Sequence, residues 1–402
     1  MTWQPLPLRT VTPAFLGRFP EGAGSGQMAF PIPSLRGVLA YWLRALAGPH
    51  VGDDTGQLLR AETELFGTAA GEGTAGPSKI LLRGGRIAVS APPAPDLKLG
   101  YLMGPGLTDE NQPRPRRLGP SILKLEVRNL GRPSHADLFF SALWALRTFG
   151  GIGARTRRGF GTLAIDPDRV PRLNLERNSF DRAWLMRDHP ADLPAVLDCV
   201  ARALADLGVR NGTFAGQPKY PCFADGWFHV AEHWLREGGT HLLALADLGD
   251  LLKRFRHPGT PPQPGRLPNT AGYRQIARAY AERRTPAGPF PDGALGLPVV
   301  YTVHGFTESV TVEPVDADAS PARRASPLWL RVTPRARGWR LRSLAFHTQW
   351  LPDDVRLRVK MGTTSGGRRP DPVAKPSAAT IRAELDRWFT FIDAERPAGP
   401  GG

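Results

Sequence analysis

The stretch 134–161, SHADLFFSALWALRTFGGIGARTRRGFG, constrains this chain more than any other. Leu138, Phe139, Ala142, Leu143 and Leu146 recur at helical spacing, so a helix must bury a face there. Ser134, after Pro133, is the expected N-cap, with Asp137 three residues on completing a capping-box-like start. Gly150-Gly151-Ile152-Gly153 cannot continue that helix. Arg155, Arg157 and Arg158 follow, closed by Gly159-Phe160-Gly161. Residues 162–165 then read as a strand that Asp166-Pro167 ends. Helix, loop and strand in that order make this part of the chain mixed in helix and strand, and the whole chain is expected as α+β.

The loop's composition points to chemistry. Glycines let backbone N–H groups approach an anion without a Cβ in the way. Arginine presents a planar fork of donors that matches phosphate oxygens. Phe160 offers a ring to stack on a base or to pack inward. Gly150, Gly151, Gly153, Gly159 and Gly161 with the three arginines therefore read as a clamp for a phosphodiester backbone, against the plainer reading of an exposed turn. It is no dinucleotide fingerprint, because the glycines follow a helix and precede a strand. The lysine of a P-loop is absent as well.

Charge agrees with a polyanionic partner. The net charge is +15 and the pI about 10.6, which favours nucleic acid or an anionic membrane. Only seven of the 52 basic residues are lysine, a bias that an Arg-, Ala-, Gly- and Pro-rich genome composition explains. Cys199 and Cys222 form no CxxC pair. The first residues lack the charged-then-apolar pattern of a signal peptide, and no run approaches about 18 apolar residues. A cytoplasmic protein with no membrane span and no cofactor is expected.

The 402 residues suggest two domains. Residues 3–12 read as an edge strand despite two prolines. Ser34 is the expected cap of a helix whose apolar face is Leu35, Val38, Leu39, Trp42, Leu43 and Leu46. Arg36 and Arg44 lie two turns apart on one side of it, and spacing alone reads them as solvated. Residues 48–78 read as loop around ETELFG, 79–90 as a hairpin turning at Gly84-Gly85, and 121–128 as a half-buried strand. Residues 113–117, PRPRR, sit in a proline-rich insertion. The order strand, helix, hairpin, strand, helix, strand fits a ferredoxin-like βαββαβ module over 1–170.

Residues 171–257 read as largely helical, over 193–207 and 241–255. Between these, His229, Glu232 and His233 form an H-x-x-E-H pattern that on a helix would hold zinc; chance and an amphipathic helix explain it better, and no metal is expected. A linker at 257–269 precedes a basic helix with Arg274 and Arg278 on one face. Strands over 297–306, 328–334, 341–351 and 355–361, a second glycine-basic loop at 361–369 and a helix capped by Ser377 complete the chain. Residues 171–402 are thus expected to hold a helical insertion and a second, more diverged ferredoxin-like module.

The helix–GGIGARTRRGFG–strand block resembles the glycine-rich loop of the RAMP superfamily of CRISPR proteins. RTVTPAFLGRFPEG (9–22) is similar to that family's first strand and the turn after it, and ETELFG (62–67) and 295–332 resemble later segments of one of its subunits. IPSLRGVLAYWLRAL (32–46) resembles the first-helix signature of one member type, the first RAMP subunit of the type III-B (Cmr) effector complex. The resemblance implies two tandem ferredoxin-like, RRM-like modules with helical insertions. It also implies a non-catalytic, RNA-binding subunit at the end of the complex that carries the guide's 3′ end, partnered by CRISPR guide RNA, target RNA and other RAMP subunits. Arg36, followed by Gly37 at the signature position, then becomes an RNA contact beside Arg44. Contacts to phosphate and 2′-hydroxyl would be independent of sequence, since guide pairing supplies specificity. The competing expectation is a metal-independent RAMP endoribonuclease that processes repeat RNA, with His135 or His50 as general acid or base.

Overall fold

The computed structural model describes residues 3–16, 27–68, 76–89, 99–104, 116–172, 186–256, 291–297, 299–302, 309–318, 320–361 and 371–395. The chain divides into two compact units. The first holds Met1–Gly249 and Trp329–Phe346, and the second Asp250–Leu328 and His347–Arg396. The expected domain boundary at 170 falls inside the first unit.

The first unit opens with β1 (Gln4–Leu6), β2 (Leu8–Thr10), β3 (Ala14–Leu16) and β4 (Gln27–Ala29). Helices α1 (Ile32–Val51) and α2 (Thr55–Phe66) follow. Then come β5 (Ile80–Gly84), β6 (Arg86–Ala88), the short α3 (Gly100–Met103), β7 (Arg116–Leu118) and β8 (Leu125–Asn129). Helix α4 (Pro133–Phe149) leads through the glycine loop into β9 (Leu163–Ile165).

Pro7 breaks the expected first strand in two, since it has no N–H to give a ladder. β1 is the edge of the sheet β1-β8-β5, and β2 pairs with β9. Leu123 N–H donates to Leu8 O and Thr10 N–H to Ser121 O, so β2 also runs beside the start of the β8 segment. All pairs are antiparallel. The expected hairpin at 79–90 does not form. β5 pairs with β8 and β6 with β4, because Gly85 directs its N–H to Lys124 O rather than closing a two-residue turn.

Two helix starts differ from expectation. α1 begins two residues before Ser34, where Pro33 suits a first-turn position that needs no N–H donor. α4 is capped at Arg132, and His135 completes the box: its Nδ1 accepts from Arg132 N–H at 3.0 Å. Ser134 instead donates to Asp206 Oδ2 at 2.5 Å. Residues 55–66, expected as loop, form a three-turn helix because Asp54 accepts from Gln57 N–H at 3.0 Å and Gly67 stops it at φ +71°.

α4 is the centre of the core. Every residue from Ser134 to Phe149 is buried, polar ones included, because α1 packs on one side and α5 (Leu193–Asp206) on another. α5 ends at Leu207-Gly208, with Gly208 at φ +71°, as its pattern predicts. Beside α4 an aromatic cluster of Trp42, Phe149, Phe223, Trp329 and Phe346 is closed at centroid distances of 4.9–6.5 Å.

β10 (Phe228–Glu237) corrects the helical reading of this region. α6 (His241–Arg256) follows as expected. In the second unit lie β11 (Val299–Thr302) and β12 (Ser309–Val315). β13 (Leu328–Arg335) and β14 (Gly338–Phe346) return to the first unit to make the sheet β10-β14-β13. β15 (Arg356–Met361) and β16 (Asp371–Val373) complete the sheet β11-β12-β15-β16. α7 (Ala378–Ala394) ends the second unit, with Ser377 Oγ accepting from Thr380 N–H at 3.1 Å. Its Ile381, Leu385, Trp388, Phe389 and Ile392, an apolar stripe at helical spacing, are all buried. The fold is thus mixed α/β with small antiparallel sheets, and no described helix is long and apolar enough to cross a membrane. The linker at 257–269, the basic helix with Arg274 and Arg278, and 362–369 lie outside the described residues.

Candidate nucleic-acid interface

The loop between α4 and β9 is a folded object rather than an open turn. Ile152 N–H donates to Gly161 O at 2.9 Å, Gly161 N–H to Pro13 O at 2.8 Å and Ala154 N–H to Phe15 O at 2.7 Å. Thr12 Oγ1 donates to Gly159 O at 2.8 Å and accepts from Thr162 N–H at 3.0 Å. The loop is therefore pinned along the segment between β2 and β3.

Its glycines divide by role. A Cβ on Gly150 would lie 2.5 Å from the Trp42 indole nitrogen, and one on Gly151 2.8 Å from Gly161 O. Gly159 packs against Leu245, Leu248 and Val332. At Gly161, φ is +66° and a Cβ would meet Ile152 O at 1.9 Å. These four are buried, and their missing side chains make room for protein, not for a ligand. Only Gly153, at φ +86°, is exposed, with Ala154 beside it. Phe160 is 1 % exposed and packs on Phe15 at 5.1 Å, so it is a core ring with no face open to a base.

The arginines are half-buried and individually placed. Arg155 is the one described non-glycine residue with positive φ, +64°, a costly left-handed position. Arg157 lies on aromatic faces, its guanidinium 4.4 Å from the Trp329 ring centroid and 5.8 Å from that of Tyr41. Its backbone O accepts from Leu330 N–H at 3.2 Å, which fastens the loop beside β13. Among the described residues Arg157 has no carboxylate partner. Arg158 Nη1 donates to Tyr101 O and Leu102 O, both at 3.2 Å, and so caps the carbonyl end of α3.

Arg36 and Arg44 do not join this group. Arg36 donates to Phe66 O and sits 5.8 Å over the Phe66 ring, and Arg44 pairs with Glu62 at 2.9 Å. Both are held by α2, the helix that sequence reading missed.

The histidines of the competing reading are occupied. His135 is 3 % exposed and caps α4; burial holds its pKa below the ordinary histidine value, with Glu64 at 3.6 Å opposing. His50 Nε2 is 3.2 Å from Val209 O. His229, Glu232 and His233 stand on β10, not on a helix. A strand advances about 3.3 Å per residue, which separates His229 from His233 by about 13 Å and turns Glu232 to the other face. The three cannot share one zinc ion. Glu232 instead accepts from Arg342 Nε at 2.6 Å.

Sequence reading missed the aromatic shelf. Trp329 and Tyr41 lie 288 residues apart and are joined by a 3.2 Å hydrogen bond. The alternation in LWLRV marks Trp329 as facing one side of a strand, but nothing local says what it meets.

Residues 7–164 match the family model of the RAMP superfamily. Over 209 residues the chain is 28 % identical to CRISPR system Cmr subunit Cmr1-1 of Pyrococcus furiosus, covering 47 % of this chain and 55 % of that protein. The chain thus spans about half the length of that relative. It is 25 % identical over 182 residues to Cmr subunit Cmr1-2 of the same organism, covering 39 % of this chain and 92 % of that one. The crystal structure of apo Cmr1 from Pyrococcus furiosus superposes with a TM-score of 0.53 at 19 % identity, over 99 % of this chain and 98 % of the other, a likeness of fold.

Proposed function

From a chain whose residues 7–164 match the RAMP-superfamily model, and which is similar to Cmr1 subunits, we propose a non-catalytic RNA-binding subunit of a type III-B CRISPR effector complex. It acts in the cytoplasm with other RAMP subunits and contacts the backbone of guide or target RNA near the guide's 3′ end. The N-terminal module is read as ferredoxin-like. The order β9, β2/β1, β8, β5 with α1 and α4 as crossovers supports that reading. The second such module rests on the antiparallel strands β11, β12, β15 and β16 with α7.

The observation that carries the RNA reading is Arg157. Its guanidinium is held against Trp329 with no carboxylate partner among the described residues, which pre-orders a phosphate donor at little further entropic loss. Gly153 and Ala154 are the exposed residues beside it. Arg36 and Arg44, held by α2, take no part in this reading. The endoribonuclease reading is disfavoured because His135 and His50 both serve as structural hydrogen-bonding groups.

Filter binding of single-stranded RNA tests the proposal. The log–log salt slope should be about −0.7 per phosphate contacted, and equal for RNAs of unrelated sequence. The RNA should remain uncut in both EDTA and magnesium. A flat salt response, or discrete cleavage products, would refute the proposal.

A further inference from the structure

Away from the glycine loop, the first unit gathers five guanidinium groups around two carboxylates. Arg342 on β14 donates from Nε to Glu232 Oε1 at 2.6 Å and from Nη1 to Thr148 O at 2.8 Å. Arg335 on β13 stands 3.4 Å from Asp188 and 3.5 Å from Glu232, and Arg340 is 3.7 Å from Glu232. Arg147, in the last turn of α4, donates to Arg187 O at 2.9 Å. Arg331 donates from Nη2 to Leu163 O at 2.6 Å. His189 approaches Glu232 to 4.0 Å.

The charges do not balance among the described residues: five arginines face Asp188 and Glu232. Arg331 is 2 % exposed, and its Nε and Nη1 are enclosed without an acceptor among the described residues, as is Arg147 Nε. Burial, then the positive charge of Arg342, pushes Arg331 well below the ordinary arginine pKa. Burial draws Arg147 down to about 10. Burial works to raise Asp188, yet Arg331, Arg335, Arg342 and Arg147 together hold it below the usual carboxylate range. Burying cations without matching anions is costly, and an arrangement of this kind is complete only with a further negative group. Solvent reaches the outer edge, where the side chains of Arg335, Arg340 and His189 are 28 %, 44 % and 61 % exposed.

We propose that this cluster is a second anion site, distinct from the 150–161 loop, that takes one phosphate group, with Arg335 and Arg340 as its donors and the buried charge of Arg331 behind them. Phosphate suits it for two reasons. Its oxygens match two or three guanidinium forks at once, and its charge of nearly −2 offsets most of the excess. The group belongs either to free phosphate or to the end of an RNA strand.

Thermal unfolding of the full chain against inorganic phosphate, with potassium chloride matched for ionic strength, tests the site. Phosphate should raise Tm saturably and chloride should not. The rise should disappear in Arg335→Gln/Arg340→Gln, whose changes lie at the exposed edge and spare the core, and in Arg331→Gln. It should persist when Arg155, Arg157 and Arg158 are replaced by alanine, which separates this site from the loop. At the same time, RNA carrying a 5′-phosphate is compared with the same RNA carrying a 5′-hydroxyl. Binding about tenfold tighter with the phosphate assigns the group to an RNA end, and equal binding assigns it to the free ion. No phosphate-specific rise in the wild type, or a rise that survives in Arg335→Gln/Arg340→Gln and Arg331→Gln, overturns the proposal.

Discussion

Gly161→Ala tests whether the loop's glycines are there for packing. The residue sits at φ +66°, and a Cβ would fall 1.9 Å from Ile152 O. The left-handed conformation alone costs a non-glycine residue about 1–2 kcal/mol. The clash is with backbone, so it cannot be relieved by rotating a side chain. Ile152 must move, which strains the 2.9 Å bond from its N–H to Gly161 O and the 2.8 Å bond from Gly161 N–H to Pro13 O. Each such bond contributes about 0.5–1.5 kcal/mol net. Together these effects predict a loss of about 2–4 kcal/mol, which lowers Tm by roughly 5–15 °C in a unit of this size. Gly216→Ala is the control: a Cβ there meets nothing within 4 Å, and stability should change by no more than about 0.5 kcal/mol. Urea unfolding followed by circular dichroism measures both. If Gly161→Ala unfolds at the wild-type midpoint, the loop is not the pinned object described above.

Two further perturbations probe the same framework. Thr12→Val removes the hydroxyl that bridges Gly159 O and Thr162 N–H in the interior, and should cost about 1–3 kcal/mol, while Thr12→Ser should retain most of the stability; equal urea midpoints for the two variants would contradict this. His135 has a folded pKa below its unfolded one, so its stabilisation is full above about pH 6.5 and is lost as pH falls through the lowered value, at up to about 1.4 kcal/mol per pH unit. His135→Gln should flatten the stability–pH profile in that window, and parallel profiles would show that His135 does not titrate on unfolding.

Elements whose burial follows a single period were legible in the sequence. The stripes of α5 and α7 name their own core residues, and the helix–glycine–strand order fixed α4, the loop and β9. β10 was not legible, because FHVAEHWL satisfies a helical and a strand period equally and only its pairing with β14 decides. α2 was missed because its apolar face is short, and with it the partners of Arg36 and Arg44. Within the loop, composition could not tell glycines that admit a ligand from glycines that admit Trp42 or Ile152. Nor could it separate Phe160 as a base platform from Phe160 as core. The arginine cluster joins positions 147, 331, 335, 340 and 342, a contact set that no local pattern encodes.

The most direct measurement is RNA affinity for the Arg155→Ala/Arg157→Ala/Arg158→Ala variant beside the wild type, with circular dichroism on the same samples. The variant should fold, at a lower Tm, because Arg157 leaves the Trp329 face and Arg158 no longer caps α3. Each phosphate contact contributes about 1–2 kcal/mol, so affinity should fall on the order of a hundredfold or more. The loss should be uniform across RNA sequences and should come with a shallower salt slope. A folded variant that binds RNA as tightly as the wild type, with an unchanged slope, would contradict the reading of Arg157 and the arginines beside it as the RNA interface.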